Sequence, residues 1–121
     1  MMDIKEIKTK YPKSYSSLVE WIGGYLKKYQ QMLIKEGGVE VDLPEITQEM
    51  KEKGTEGLLR IYPRILYDWA DDNGAKCFVF NAEGQFSYQV YPTADSHRYN
   101  SRKECEESMF LELFEVLEEK L

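Results

Sequence analysis

The sequence predicts an α+β domain in which helices pack with a small antiparallel sheet built on a β-hairpin over residues 76–91. Three patterns predict this architecture. Residues 14–36 and 102–121 repeat apolar side chains at helical spacing, and residues 76–91 alternate around a turn that contains glycine. We expect the last helix, which is amphipathic, to pack on the hairpin.

The length and composition indicate one folded domain. The chain has 121 residues, of which 42% are hydrophobic and 31% are charged, and domains of about 100–150 residues are the commonest size. We therefore expect a single globular domain over residues 1–121. Within it, residues 1–13 should form a loosely held lead-in, because Pro12 interrupts a helix of one or two turns.

The segment 14–36 should be a long core helix, since its apolar side chains recur every three or four residues. Ser17 and the glutamate three residues later match a capping box, although Ser14 competes for the start, and Gly37–Gly38 supplies a stop. Gly23–Gly24 inside the helix costs about 1 kcal/mol per glycine. We expect close packing by another backbone to compensate, with a local bend as the alternative.

The middle of the chain contains weaker signals. Residues 39–43 alternate and predict a short edge strand, with a loop as the alternative, and residues 45–53 read as a short polar helix or turn. A helical apolar series follows over residues 58–70. Pro63 lies inside it, so the helix either is kinked or begins near Pro63. Continuous periodicity favours the kink, and Asn73–Gly74 predicts a left-handed cap.

The hairpin is predicted from two aromatic strands joined by the turn 81–84. Glycine stands where a type I turn with a G1 bulge needs a positive φ. That turn would pair Phe80 with Phe86 and Phe78 with Tyr88, giving a wholly aromatic face. Such faces serve as stacking platforms in single-strand nucleic-acid binders, but basic residues are few here. We therefore expect the last helix to cover this face.

The last helix begins at a second capping box, Ser101 to Glu104, and extends to the end of the chain. Its apolar side is broad, and we expect the remaining positions to face outward. Those positions carry glutamates, namely Glu106, Glu107, Glu112, Glu115, Glu118 and Glu119.

Charge narrows the classes of partner. The net charge is −6, and its whole excess lies in residues 61–121, which carry twelve acidic and six basic groups. This disfavours nucleic acid and favours a protein partner, with a basic one easiest to accommodate. No apolar run near the N-terminus suits a signal peptide or membrane span, so we expect a cytoplasmic protein without a membrane partner. Cys77 and Cys105 should be buried free thiols.

Two acidic clusters are the candidate interaction residues. Asp68, Asp71 and Asp72 share a helix face near its negative end, where they would suit a hard cation or a basic side chain, or form a solvated face. In the last helix, a glutamate stripe would present regular charge to a basic protein, or simply face water. The residues of this stripe that we select are Glu112, Glu115 and Glu119.

No residue is predicted to be catalytic, to bind a cofactor or to ligate a metal. The single histidine, His97, shows no spacing typical of a nucleophilic triad, and one histidine with two separated cysteines does not make a zinc site.

The segment from Phe78 to Leu121 combines the aromatic hairpin, the Tyr99-Asn100-Ser101-Arg102-Lys103-Glu104 entry and the acidic terminal helix. In this it resembles the ends of many short uncharacterised proteins carried by bacteriophages and mobile elements of gut bacteria. The resemblance implies a bacterial or phage accessory protein and carries over no active-site residue.

These observations favour a small, acidic, non-enzymatic protein-interaction module of unknown process. One alternative is a small enzyme with an acidic-cluster site. Another is a nucleic-acid-binding protein that uses the Lys5–Lys13 arm or the basic patch of Arg98, Arg102 and Lys103. Gly23–Gly24 and the apolar breadth of the last helix are compatible with a homodimer.

Overall fold

The computed structural model describes residues 3–37, 45–91, 93–94 and 97–121. Within them the chain forms α1 (Ile4–Lys10), α2 (Pro12–Gly37), α3 (Gln48–Ile61), α4 (Ile65–Asp72), β1 (Cys77–Ala82), β2 (Gln85–Val90), β3 (Thr93–Ala94) and α5 (Arg102–Lys120). The strands form one antiparallel sheet in the order β1-β2-β3. The α+β class is confirmed, and the strand predicted for residues 39–43 lies outside the described residues.

The core lies where α5 packs on the hairpin and on the first half of α2. Phe110 and Phe114 of α5 are buried, and the Phe114 ring lies 5.2 Å from that of Trp69 of α4. From the N-terminal side, Ile7 of α1 is completely buried in the same cluster. The predicted packing of the terminal helix on the sheet is confirmed.

The start of α2 differs from both predicted caps, because the helix begins at Pro12 and Ser14 and Ser17 lie inside it. The fixed φ of proline suits the first helical position. The cap comes from α5: the Glu118 carboxylate accepts the N–H groups of Lys13 at 3.1 Å and Ser14 at 2.7 Å. A residue about a hundred positions away thus replaces the local capping box.

Only the first half of α2 belongs to the core, although the apolar spacing predicts a core helix throughout. Leu18, Val19 and Ile22 are buried and Leu26 is half-buried against the core, whereas the other later apolar side chains are exposed. These exposed side chains are Tyr25, Tyr29, Met32, Leu33 and Ile34.

One of the two adjacent glycines in the middle of α2 is explained by close packing. A Cβ at Gly23 would lie 2.7 Å from Cδ of Lys51, whose ammonium pairs with Glu20 at 3.1 Å. The approach is therefore made by a lysine side chain of α3, not by another backbone as predicted. Nothing lies within 4 Å of a Cβ at Gly24, and nothing in the structure explains that glycine.

The favoured kink at Pro63 is wrong, because α3 ends at Ile61 and a separate helix begins at Ile65. Tyr62 caps α3 with φ −141°, which is outside the helical region. Proline restricts the residue before it to extended conformations, so the break falls at Tyr62. The alternative, a helix that begins near Pro63, describes α4 better.

The hairpin has the predicted strands but a different register. Val79 pairs with Tyr88 and Phe80 with Ser87, so the turn has only Glu83 and Gly84 between the strands. Both residues have positive φ, +56° and +82°, as a type I′ turn requires. A one-residue slip moves side chains to the opposite face. The predicted aromatic face is therefore divided: Tyr88 is buried, while Phe78 and Phe80 are exposed on the outer face.

Two helix ends match their local signals. Gly74 has φ +72°, and the N–H groups of Gly74 and Ala75 donate to the carbonyls of Asp71 and Ala70, which is the Schellman pattern. At the start of α5, the Ser101 hydroxyl accepts the N–H of Glu104 at 3.2 Å. The cap predicted at Asn73–Gly74 and the serine cap of the last helix are confirmed.

Candidate functional site

A pocket of about 540 Å³ lies between the connection from α3 to α4 and the first three turns of α5. Its lining combines apolar and charged side chains from these two segments. They are Ile61, Tyr62, Pro63, Arg64, Arg102, Lys103, Glu106, Glu107 and Phe110.

The break between α3 and α4 creates the apolar side of this pocket. Because α3 ends at Ile61 and the chain turns at Tyr62 and Pro63, these three residues lie together at the end of the helix and line one side of the pocket. Ile61 is 85% exposed and Tyr62 is 54% exposed. Phe110 of α5, buried in the core, closes the inner end. A large apolar side chain from a partner would find an apolar surface here.

Glu106 forms the polar base of the pocket, which corrects the prediction that it faces outward. Its side chain is only 9% exposed, and it accepts hydrogen bonds from Arg64 at 3.1 Å and from the Tyr67 hydroxyl at 3.0 Å. Arg102, one turn earlier in α5, lies 3.7 Å from the same carboxylate. A buried carboxylate requires such partners, since an unpaired buried charge is strongly unfavourable.

Electrostatics at the pocket follow from this buried carboxylate. Burial, and then the hydrogen bond to Glu106, raise the pKa of the Tyr67 hydroxyl above its ordinary value, so Tyr67 is neutral and donates. The hydrogen bond to Glu106 raises the pKa of Arg64 as well.

The accessible charge of the pocket is basic. The side chains of Arg64 and Arg102 are 54% and 55% exposed, against 9% for Glu106 beneath them. Lys103 adds a third cation to the lining, and the N-terminus of the 19-residue helix α5 carries a partial positive charge. The lining also contains two carboxylates, the buried Glu106 and the half-buried Glu107, so these three cations leave a small positive excess in a chain of net charge −6.

The predicted aspartate cluster stays outside the pocket. Asp68, Asp71 and Asp72 are all exposed on α4, and Asp72 accepts a hydrogen bond from Nε1 of Trp21 at 2.7 Å. Asp68 lies in the first turn of α4, not near its negative end as predicted, because α4 begins only at Ile65. Among the described residues, no group of three or more His, Cys, Asp or Glu side chains converges as metal ligands would.

The glutamates of α5 do not form one uniform stripe. Glu115 and Glu119 are exposed, whereas Glu112 is half-buried and its Oε2 is a buried oxygen without a hydrogen-bond partner among the described residues. Glu118 caps α2, as described above. Neither these four residues nor the three aspartates line the pocket.

Among the residues that the structure describes, the serine, histidine and cysteine side chains considered next show no contact typical of a nucleophilic site. The Ser87 hydroxyl donates to the main-chain carbonyl of His97, not to its imidazole. Cys77 and Cys105 are both free thiols, as predicted; Cys105 is buried and Cys77 is half-buried. Burial, and then the charge of Asp71, raise the pKa of Cys77 to about 11, which disfavours the reactive thiolate.

The sequence indicates part of this pocket. Arg102 and Lys103 belong to the basic patch noted for the nucleic-acid alternative, and Pro63 marks the break that follows Ile61. The contribution of Arg64 and the burial of Glu106 were missed, because these two residues are 42 positions apart. No periodicity within either helix shows that they meet.

Comparison with known proteins identifies no relative of this chain. No protein-family model matches this chain, and no curated protein or solved structure matches it. Among the helices of the described residues, none is both long and apolar enough to cross a membrane.

Proposed function

We propose that this protein is a non-enzymatic interaction module whose pocket between the α3–α4 connection and α5 binds a segment of a protein partner. The observation that carries the proposal is the combination of exposed apolar side chains and accessible arginines around one concave surface. The bound segment should present an aromatic or aliphatic side chain next to a carboxylate.

The apolar part of the pocket supports a side-chain anchor. The side chains of Tyr62 and Ile61 are more than half exposed and lie beside the buried Phe110. An apolar side chain inserted here would remove both from water. Interfaces are commonly dominated by a few such anchors in well-packed pockets, with tyrosine and arginine enriched among them.

The charged part supports an acidic neighbour of that anchor. Arg64 donates a hydrogen bond to Glu106 and Arg102 forms an ion pair with the same carboxylate at 3.7 Å, so Glu106 orients both guanidinium groups beside the pocket before a partner arrives. Arginine binds carboxylates in a fixed fork geometry, and pre-ordering reduces the entropy lost on binding. The basic partner expected from the net charge does not suit this pocket, and would instead have to contact the exposed acids such as Glu115 and Glu119.

The non-enzymatic part of the proposal is supported by the chemistry of the lining. Its buried polar group, Glu106, is engaged by arginine and tyrosine, and the lining supplies neither serine, cysteine nor histidine as a nucleophile or base. A bacterial or phage accessory role, which the resemblance of residues 78–121 implies, stays a prediction.

A peptide-display selection tests the proposal. The wild-type protein is used for positive selection and the Tyr62→Ala variant for counter-selection, because Tyr62 is exposed enough to be truncated without loss of fold. We expect a consensus that joins an aromatic or aliphatic residue to Asp or Glu. Measured by fluorescence anisotropy, the selected peptide should bind the Tyr62→Ala variant about tenfold or more weakly.

Tyr29→Ala provides the matched control, since Tyr29 is 51% exposed on a different helix. It should leave the affinity unchanged. The proposal is wrong if no consensus emerges, if the consensus is basic, or if Tyr29→Ala weakens binding as much as Tyr62→Ala. Circular dichroism of each variant confirms that the fold is retained.

A further inference from the structure

The strand β1 has an open edge in the described part of the chain. The N–H of Tyr91 donates to the carbonyl of Lys76 at 2.8 Å, which fixes the alternation of the antiparallel ladder. Phe78 and Phe80 therefore share hydrogen bonds with β2. The N–H and C=O groups of Cys77, Val79 and Asn81 point the other way, where the sheet order β1-β2-β3 places no further strand among the described residues.

The outer face of the same strand carries two exposed aromatic side chains. Phe78 is 49% exposed and Phe80 is 43% exposed, and their ring centroids lie 6.1 Å apart. Unpaired edges are usually protected by charge, proline or a bulge, because they can pair with another strand. Within Cys77–Ala82 none of these is present: the segment has no charged residue and no proline, and it pairs with β2 without a bulge.

We propose that β1 pairs antiparallel with β1 of a second copy of this chain, about a two-fold axis at Val79, so that one sheet continues across a dimer. The interface would be isologous, with the same strand contributed by both copies. The outward-pointing N–H and C=O groups of Val79 meet those of the second Val79, and the groups at Cys77 meet those at Asn81.

The position of the axis follows from the side chains. With the axis at Val79, Phe78 of each copy stands opposite Phe80 of the other, so all four exposed rings gather on one face. An axis at Phe78 pairs that ring with its equivalent but leaves Phe80 opposite Lys76. An axis at Phe80 leaves Phe78 opposite Ala82. Only the first register gives aromatic cross-strand neighbours to both rings.

Charge at the two ends of β1 agrees with the same register. Lys76, which is exposed, would stand opposite Ala82 of the second copy and therefore beside the exposed Glu83 of its turn. The two-fold axis repeats this contact at the other end. Opposite charges thus meet twice, and no like charges stand opposite each other along the strand. The surface is distinct from the pocket, whose lining contains no residue of the hairpin.

Sedimentation over a range of concentrations tests whether the dimer forms and where its interface lies. The wild-type chain should show a concentration-dependent dimer. A variant with both Phe78→Glu and Phe80→Glu should be monomeric, as should one with both Phe78→Lys and Phe80→Lys, because like charges then face each other. Mixing these two variants should restore a dimer, since opposite charges then face each other across the strands.

A control pair of variants separates this surface from the exposed face of α2. Tyr25→Glu with Tyr29→Glu changes two tyrosines that are also about half exposed, and this variant should dimerise like wild type. The proposal is overturned if wild type stays monomeric at every concentration, if the α2 variant is the one that loses the dimer, or if mixing the charged variants fails to restore association.

Disulfide trapping tests the register. Opposite residues that do not share hydrogen bonds have Cα atoms about 4.5 Å apart, within the range that a disulfide spans. A mixture of Phe78→Cys and Phe80→Cys chains under oxidised glutathione should give mainly the mixed disulfide. Dominance of either homodisulfide would place the axis at Phe78 or Phe80, and no cross-linking beyond that of a Tyr29→Cys control would contradict strand pairing.

Discussion

At the scale of single residues, two glutamates of α5 show that helical periodicity alone does not predict which polar side chains are buried. Glu106 and Glu118 occupy positions predicted to face water, yet one binds Arg64 and Tyr67 and the other caps α2. Their partners are 39 to 105 residues away in the sequence. The pattern of one helix places a side chain on a face, but the neighbouring helix decides whether that face meets water.

The cap made by Glu118 should make stability depend on pH. Partial burial alone would raise the pKa of Glu118, but hydrogen bonds from the N–H groups of Ser14 and Lys13 outweigh it and hold the pKa below its ordinary value of 4.5. A lowered pKa in the folded state stabilises the protein above the unfolded value, and this contribution is lost as pH falls through the folded value. Glu118→Gln should therefore destabilise the protein at pH 7, and the difference from wild type should shrink below pH 4.5.

Urea denaturation at a series of pH values measures this difference. Glu119→Gln is the control, because Glu119 is the exposed neighbour on the same helix. A loss of stability in Glu118→Gln that is the same at pH 7 and at pH 3, or one that Glu119→Gln reproduces, would contradict an ionised cap.

At the scale of elements, local signals predict helix ends well and hairpin register poorly. Gly74 and Ser101 act within a few residues of themselves, so their caps follow from the sequence. The hairpin register required a choice between two turns that both accept Gly84. The position of the glycine suggested the longer turn, a type I turn with a G1 bulge, and the aromatic pairing was derived from it. The structure instead uses a two-residue turn, which matches the twist of the strands but places Glu83 at positive φ.

The turn therefore offers a stabilising substitution. Glu83 has φ +56°, a conformation that costs most L-residues roughly 1–2 kcal/mol, whereas asparagine adopts it readily. Asparagine followed by glycine is also the preferred pair for a type I′ turn. Glu83→Asn should raise the free energy of unfolding by about 1 kcal/mol, measured as an increase in the urea midpoint at unchanged slope.

Glu83→Ala separates this effect from the loss of charge. It removes the carboxylate without favouring positive φ, so it should leave stability unchanged or lower it. Equal stabilisation by alanine and asparagine would indicate charge repulsion, and destabilisation by asparagine would contradict the type I′ turn.

At the scale of the whole molecule, the fold class follows from the sequence but the extent of the core does not. Apolar spacing along residues 14–36 correctly identifies a helix and its apolar face, yet it does not show how far the neighbouring helices extend. At about 1.5 Å per residue, α2 is about 39 Å long and α5 about 28 Å. The distal turns of α2 therefore extend beyond their neighbours, and Tyr29, Met32 and Leu33 remain exposed.

This arrangement should give the two halves of α2 different stabilities in solution. Amide hydrogens of residues 16–23 lie in the buried half and should exchange mainly through global unfolding, whereas those of residues 28–36 should exchange through local fraying. We expect the distal amides to exchange roughly a hundredfold or more faster in native-state hydrogen exchange. Residues 109–117 of α5, which include five buried apolar side chains, supply the fully protected reference. Equal protection along α2 would contradict an exposed distal half. If protection instead rises with protein concentration, association of chains covers this face.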